Sequence, residues 1–245
     1  MAAVIETRNL TKHFGDSVAV NGISFDIEAG VTTGLLGGNG AGKTTTIAML
    51  LGLLTPTSGE IRILGLDPAR QGSQVRARMN FQSPYVDMPK RLSVRRNLSI
   101  YAKLYGVDRP REKVEQLAEA LQLTDLLARR TGSLSAGQVT RVGIAKALVN
   151  DPDVLLLDEP TASLDPDTAD WIRTELEAYQ ARSGAAILLA SHNMAEVERL
   201  ASRVLMMKAG RIVDDGAPRA LVEKYGRGTL EEVFLQIARR DEAAQ

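Results

Sequence analysis

Apolar residues follow two rhythms along this chain of 245 residues. Over residues 4–30 they alternate with polar ones between turn residues. There Val18-Ala19-Val20 and Ile23-Ser24-Phe25-Asp26-Ile27 predict strands of an antiparallel patch. A nearly continuous apolar run over 31–36 predicts a buried strand, and 44–54 predicts a helix behind it. Short strands are expected at 60–65 and 79–81. From about 87 to 150 the spacing becomes helical, with apolar stripes over 98–105, 111–121 and 138–149. This stretch predicts a helical subdomain inserted into an α/β core. The core then resumes with apolar strands at 153–157 and 185–190, of the kind that a covered parallel sheet requires. A helix over 166–181 lies between them and completes a βαβ unit. Short strands at 203–207 and 211–214, an amphipathic helix over 230–240 and a loose tail at 241–245 close the chain.

Composition narrows the class. The 30 basic and 30 acidic residues cancel, which argues against a broad electrostatic surface for nucleic acid. There is no cysteine, so disulfides and thiolate metal sites are excluded and a cytosolic location is allowed. No run of about 18 apolar residues occurs, so no membrane span is expected. Residues 1–10 carry Glu6 and Arg8 among their apolar positions and do not read as a signal peptide.

The chemistry concentrates first at Gly37-Gly38-Asn39-Gly40-Ala41-Gly42-Lys43-Thr44, which fits the phosphate-loop pattern G-x-x-x-x-G-K-[ST]. Glycines let the backbone aim its N–H groups at phosphate oxygens. Lys43 brings positive charge to the terminal phosphates, and Thr44 offers a hydroxyl to Mg2+. The predicted strand before the loop and helix after it make an anion site from backbone dipoles. It is not a dinucleotide fingerprint, because Lys43 stands where that motif, counted from Gly38, needs its last glycine. The fold class expected is therefore α/β with a P-loop NTPase core, mainly parallel sheet, an N-terminal antiparallel β patch and an inserted helical subdomain.

Such a core needs a second Mg2+-binding group at the end of a buried strand. Asp158, after Val154-Leu155-Leu156-Leu157, fits that place, and Glu159 next to it fits a general base for the attacking water. On its own, an apolar run ending in two acids is a common strand-to-loop junction; the phosphate loop elsewhere changes its meaning. Ligands of open α/β sheets sit beyond the carboxyl ends of the strands. Gln82 after 79–81 and Ser191-His192 after 188–190 fall at such ends as well, so four polar elements are expected on one edge. His192 could hold the terminal phosphate by hydrogen bonding. His13 lies in an N-terminal turn and receives no role.

Together these residues resemble the nucleotide-binding subunits of ABC transporters, over about residues 4–238. Leu134-Ser135-Ala136-Gly137-Gln138 looks like the family signature, usually Leu-Ser-Gly-Gly-Gln. Asp158-Glu159-Pro160-Thr161 resembles the Walker B end, Ser163-Leu164-Asp165 the D-loop and Ser191-His192 the switch histidine. Phe14, before Gly15, occupies the place of the aromatic that stacks on adenine.

The resemblance implies ATP and Mg2+ as ligands, with residues 37–42, Lys43, Thr44 and Thr45 around the nucleotide and Thr44, Gln82 and Asp158 positioning the metal. It also implies a nucleotide-dependent dimer, expected to be of identical chains. In that dimer Ser135, Gly137 and Gln138, at a helix beginning at Gln138, serve the partner's ATP, and Asp165 lies near the seam. Further expectations are a separate membrane-spanning permease subunit and a peripheral, cytoplasmic place on the inner face of the membrane. The organisation implied is one nucleotide-binding domain over 1–245. Its core is 1–86 and 151–220, its helical subdomain 87–150, and its C-terminal helix and tail 221–245. The face with Leu98, Tyr101, Leu104 and Tyr105 is mostly core, in a region that in the family helps receive a helix of the membrane subunit. The run over 42–50 with Gly52-Leu53 resembles the ABC-2-type exporter branch.

Three departures from the family pattern stand out: Ala136 replaces a glycine, the segment 82–92 is one or two residues longer than usual, and Gly38 stands where proline is frequent. Alanine tolerates positive φ poorly, so a mild weakening of close approach is expected at Ala136. Arg95-Arg96 and Arg129-Arg130 read as solvated faces or domain contacts, and Trp171 as packing. One rival is a soluble relative acting on ribosomes or nucleic acid. Such proteins usually carry two nucleotide domains or long coiled coils, and this chain has one phosphate loop and no long heptad run. A regulatory ATP-binding module with little turnover is opposed by Glu159, and a nucleoside kinase leaves 134–138 unexplained.

Overall fold

The computed structural model describes residues 3–84, 87–162 and 164–239. Ser163, Arg240 at the expected helix end and the tail 241–245 lie outside the described residues. In chain order the strands are β1 (Ala3–Phe14), β2 (Ser17–Glu28), β3 (Thr32–Gly37), β4 (Ser58–Ile63), β5 (Met79–Gln82), β6 (Val154–Asp158), β7 (Ala186–Ala190), β8 (Arg203–Lys208) and β9 (Arg211–Gly216). The helices are α1 (Lys43–Leu50), α2 (Gly72–Arg78), α3 (Val94–Leu104), α4 (Pro110–Ala120), α5 (Ala136–Ala147), α6 (Pro166–Ser183), α7 (Met194–Leu200), α8 (Pro218–Lys224) and α9 (Leu230–Arg239). The backbone divides into two compact units, one of residues up to 76 together with those from 186 onward, the other of residues 77–185.

In the first unit, β1 pairs antiparallel with both β2 and β4. Alternation sends Ile5, Leu10, Val20, Ile23, Phe25 and Ile27 inward and leaves their neighbours wetter. Thr7 is buried too, but its hydroxyl donates to the Phe25 carbonyl and accepts from the Phe25 amide, so no polar atom is orphaned there. Strand β3 runs parallel to both β7 and β8, and β9 turns back antiparallel on β8. Every residue of β3 and β7 is buried, as expected for strands covered on both faces. The Lys208 ammonium donates to the carbonyls of Ile237 (2.6 Å) and Ala238 (3.1 Å), satisfying the open C-terminal end of α9.

The second unit holds the parallel pair β5 and β6, with Gln82 opposite Leu157. Helices α3, α4 and α5 pack together, and α5 lies on β5. Asn97, almost fully buried, donates to the Pro89 carbonyl and the Thr131 hydroxyl. Thr131 in turn donates to the carbonyls of Pro89 and Leu92, so two side chains fasten the segment before α3. Helix α6 is capped at both ends, by Asp165 before Pro166 and by Gly184 in the left-handed conformation. Leu156 on β6 is completely buried. Leu156→Ala is therefore expected to cost about 2–5 kcal/mol in urea unfolding, the range for emptying a packed leucine site.

The expected helix over 44–54 stops earlier. Leu51 caps it and Gly52 turns with φ 68°, so residues 51–54 form a turn. Helices α2, α7 and α8, of seven residues each, were not expected from the apolar pattern.

Candidate functional site

In the first unit the phosphate loop joins the end of β3 to the start of α1. Gly42 caps α1 at φ 105°, and a Cβ there would lie 2.6 Å from the Ala19 carbonyl oxygen, so only glycine fits. The loop is fastened by Ala41 N–H to Gly38 O (3.1 Å) and Gly210 N–H to Ala41 O (3.0 Å). Lys43 folds back over it and donates to the carbonyls of Gly37 (2.5 Å) and Gly38 (3.2 Å). Gly38, Asn39, Gly40 and Thr44 are exposed, Lys43 and Thr45 half-buried, and Gly37, Ala41 and Gly42 buried. A Cβ on Gly38 would meet nothing within 4 Å, so the absent proline leaves open space rather than a constraint.

Because β7 pairs with β3 in parallel, with Ala190 opposite Leu35, the residues after β7 emerge beside the phosphate loop on the same edge. They are Ser191 and His192. The buried Ser191 hydroxyl donates to the Glu196 carboxylate (2.6 Å) and accepts from the Asn193 amide (3.1 Å), while Asn193 caps α7. His192 projects as an exposed side chain from this anchored turn. Phe14, at the end of β1, is 53% exposed, with the Lys12 ammonium 5.2 Å from its ring centroid. It is not a core residue, and an exposed ring is what a stacking surface needs.

In the second unit, Gln82 and Asp158 close two adjacent parallel strands. The Ser83 hydroxyl donates to the Asp158 carboxylate (3.4 Å). Gln82 is 5% exposed; its Nε2 donates to the Ser83 carbonyl (3.2 Å), and its buried Oε1 has no hydrogen-bond partner among the described residues. Such an acceptor is costly to leave unmade unless a ligand serves it. Glu159 takes a left-handed backbone, φ 50°, which is rare for a side chain of this size and often marks working positions.

The signature segment differs from the sequence expectation. Helix α5 starts at Ala136, not Gln138, with Ser135 as its cap. The Ser135 hydroxyl accepts from the Gln138 amide (3.3 Å), and the Gln138 side-chain oxygen accepts from the Ser135 amide (3.1 Å), a reciprocal capping box. Its signal, serine followed three residues later by glutamine, was present in the sequence. Ala136 has no positive φ, so the steric penalty expected there does not arise. Asp165 caps α6, accepting from the Thr168 amide (3.0 Å); that bond holds its carboxyl below the usual range.

Two features had no counterpart in the sequence reading. Lys146, flanked by Ile144, Ala145, Ala147 and Leu148, is buried in the second unit, and burial lowers its pKa. The buried Glu196 braces the turn that presents His192. Among the described residues no helix is long and apolar enough to cross a membrane.

Known proteins resemble this arrangement. A family model described as ABC transporter matches residues 20–162. Nod factor export ATP-binding protein I of Burkholderia lata is 41% identical over 223 residues, covering 90% of this chain and 73% of that protein. Among solved structures, an ATP-binding subunit of an ABC transporter superposes with a TM-score of 0.89 at 25% identity, covering 96% of this chain and 99% of that one. The cbiO1 protein of Clostridium perfringens, part of the ABC transporter complex cbiONQ, gives 0.81 at 31% identity over 99% of this chain and 98% of its own.

Proposed function

The chain belongs to the ABC transporter family, and on that premise we propose how its residues divide the work of an ATP-driven transport subunit. It binds and hydrolyses ATP and energises a separate membrane-spanning subunit. The observation that supports this most is the glycine loop closing on α1 with Ser191 and His192 on the same strand edge. Lys43 and the amides of 38–44 hold the phosphates, with Thr45 behind them. Phe14 stacks on the adenine.

By resemblance to the family, Thr44, Gln82 and Asp158 are the residues that would hold Mg2+. Their donors are all oxygens, which suits a hard cation, and Gln82 offers a buried oxygen that has no partner among the described residues. When bound, the ion neutralises charge on the transferring phosphoryl group. Glu159 accepts the proton of the attacking water, and His192 donates a hydrogen bond to the γ-phosphate. Ser135, Gly137 and Gln138, at the start of α5, serve the ATP of a second ATP-binding subunit, with Asp165 near the seam. The whole chain then acts as one nucleotide-binding domain, peripheral on the inner face of the membrane. Transport runs outward, as the name of the export relative suggests.

A tagged pull-down from detergent-solubilised native membranes tests this reading. The expected result is copurification with a polytopic membrane chain. Recovery from the soluble fraction alone, or with ribosomes, would keep the ATPase chemistry and overturn the transport role.

A further inference from the structure

Gln82 needs something to hold its buried side chain in place, and Lys146 on α5 is built to do so. Lys146 is only 7% exposed. Its ammonium donates a long hydrogen bond to the Phe81 carbonyl (3.4 Å) and lies 5.4 Å from the centroid of the Tyr101 ring. Among the described residues no carboxylate pairs with it; burial alone acts on its charge. A buried, unpaired ammonium is costly, and an apolar residue would fill the same space without that cost.

The surrounding contacts converge on β5. Asn80 Nδ2 donates to the Lys146 carbonyl (3.3 Å) and to Asn150 Oδ1 (2.8 Å), and the Tyr105 hydroxyl donates to Asn80 Oδ1 (3.3 Å). One turn before Lys146, Gly143 lies flat against Gln82: a Cβ there would sit 2.4 Å from Gln82 Nε2. Helix α5 therefore meets three successive residues of β5, namely Asn80, Phe81 and Gln82. The same helix begins at Ser135.

We propose that Lys146 is a positioning residue for ATP hydrolysis, fixing the Phe81 carbonyl so that Gln82 is held against Gly143 and moves as one body with the helix that starts at the signature serine. The twelve residues of α5 make a rod about 18 Å long. A displacement at Ser135 then reaches Gln82 without passing through a loop. This rests on the role given to Gln82 above.

Lys146→Met keeps length and removes both charge and donor; Lys146→Arg keeps both. For the Met variant, KM for ATP is expected to stay within about twofold while kcat falls about tenfold or more, as when a reacting group is slightly misplaced. The Arg variant is expected to recover most of the rate. Combining Lys146→Met with Gln82→Ala should be no slower than Gln82→Ala alone, because both remove one function. Independently of turnover, amide hydrogen exchange across 81–84 should rise in Lys146→Met while that of 154–158 stays unchanged.

An unchanged kcat in Lys146→Met, or losses that multiply in the double variant, would overturn the proposal. If Lys146→Met does not fold, Gly143→Ala, whose methyl displaces Gln82, must lower kcat at constant KM, and an unaltered rate there overturns it equally. A slow Gln82→Ala beside a fast Lys146→Met sinks the Lys146 role alone. A fully active Gln82→Ala sinks the Gln82 assignment and this proposal with it.

Discussion

Glu159→Gln is expected to bind ATP as the parent chain does and to lose turnover by a factor on the order of 10²–10⁴, the usual worth of a positioned general base. The substitution preserves shape and hydrogen-bonding reach and removes only basicity. It also preserves the left-handed backbone at φ 50°, so whatever strain sits there is common to both forms and unfolding midpoints should coincide. A companion variant separates backbone from side chain. Glu159→Gly relieves a left-handed penalty of about 1–2 kcal/mol and is offset in part by the greater chain entropy of glycine. Its stability should therefore be at least that of the parent while its turnover is as low as that of the Gln variant. Phosphate release under single-turnover conditions measures turnover, calorimetry measures nucleotide binding, and urea unfolding measures stability. Near-normal turnover in Glu159→Gln would remove Glu159 from the role of base.

Lys43→Ala is expected to weaken ATP binding about 10–10²-fold. A charge-assisted hydrogen bond contributes about 1.5–3 kcal/mol, and about 1.4 kcal/mol is a factor of ten. The loss has a second source in this chain. The ammonium also holds the carbonyls of Gly37 and Gly38, so its removal loosens the loop that must present its amides. Lys43→Arg tests which source dominates, since the guanidinium keeps the charge but replaces the compact ammonium with a rigid planar donor fork. Unchanged affinity in Lys43→Ala, measured by calorimetry, would refute the phosphate-loop assignment.

Much of this architecture was legible in residue order because long periodic segments dominate it. Strand β7 and residues 154–157 of β6 are unbroken apolar runs, β3 is nearly so, and α6 is bounded by Asp165-Pro166 at one end and Gly184 at the other. The missed helices α2, α7 and α8 span two turns each, too few for a 3.6-residue period to show against noise. The apolar pattern overextends α1 because Leu51, Leu53 and Leu54 continue its apolar character, while the positive φ at Gly52 ends it. The candidate residues at 37–44 and 158–159 stand out in the sequence from motif and strand end together. Lys146 could not, since a lysine inside a helix ordinarily keeps its head in water, and only packing against Tyr101 and β5 reveals that this one does not.

The capping box at Ser135 makes the signature serine answerable to two separate kinds of selection. Helix α5 requires a residue at position 135 whose side chain accepts from the Gln138 amide, whether or not a nucleotide ever arrives there. A descendant of this chain that abandoned hydrolysis would still be held by folding to serine, threonine, aspartate or asparagine at that place, whereas Glu159, whose backbone conformation glycine adopts more easily, would be free to drift. In comparing paralogues, loss of the acid at 159 is thus the informative mark of a retired engine, and survival of the serine says little about whether it still runs.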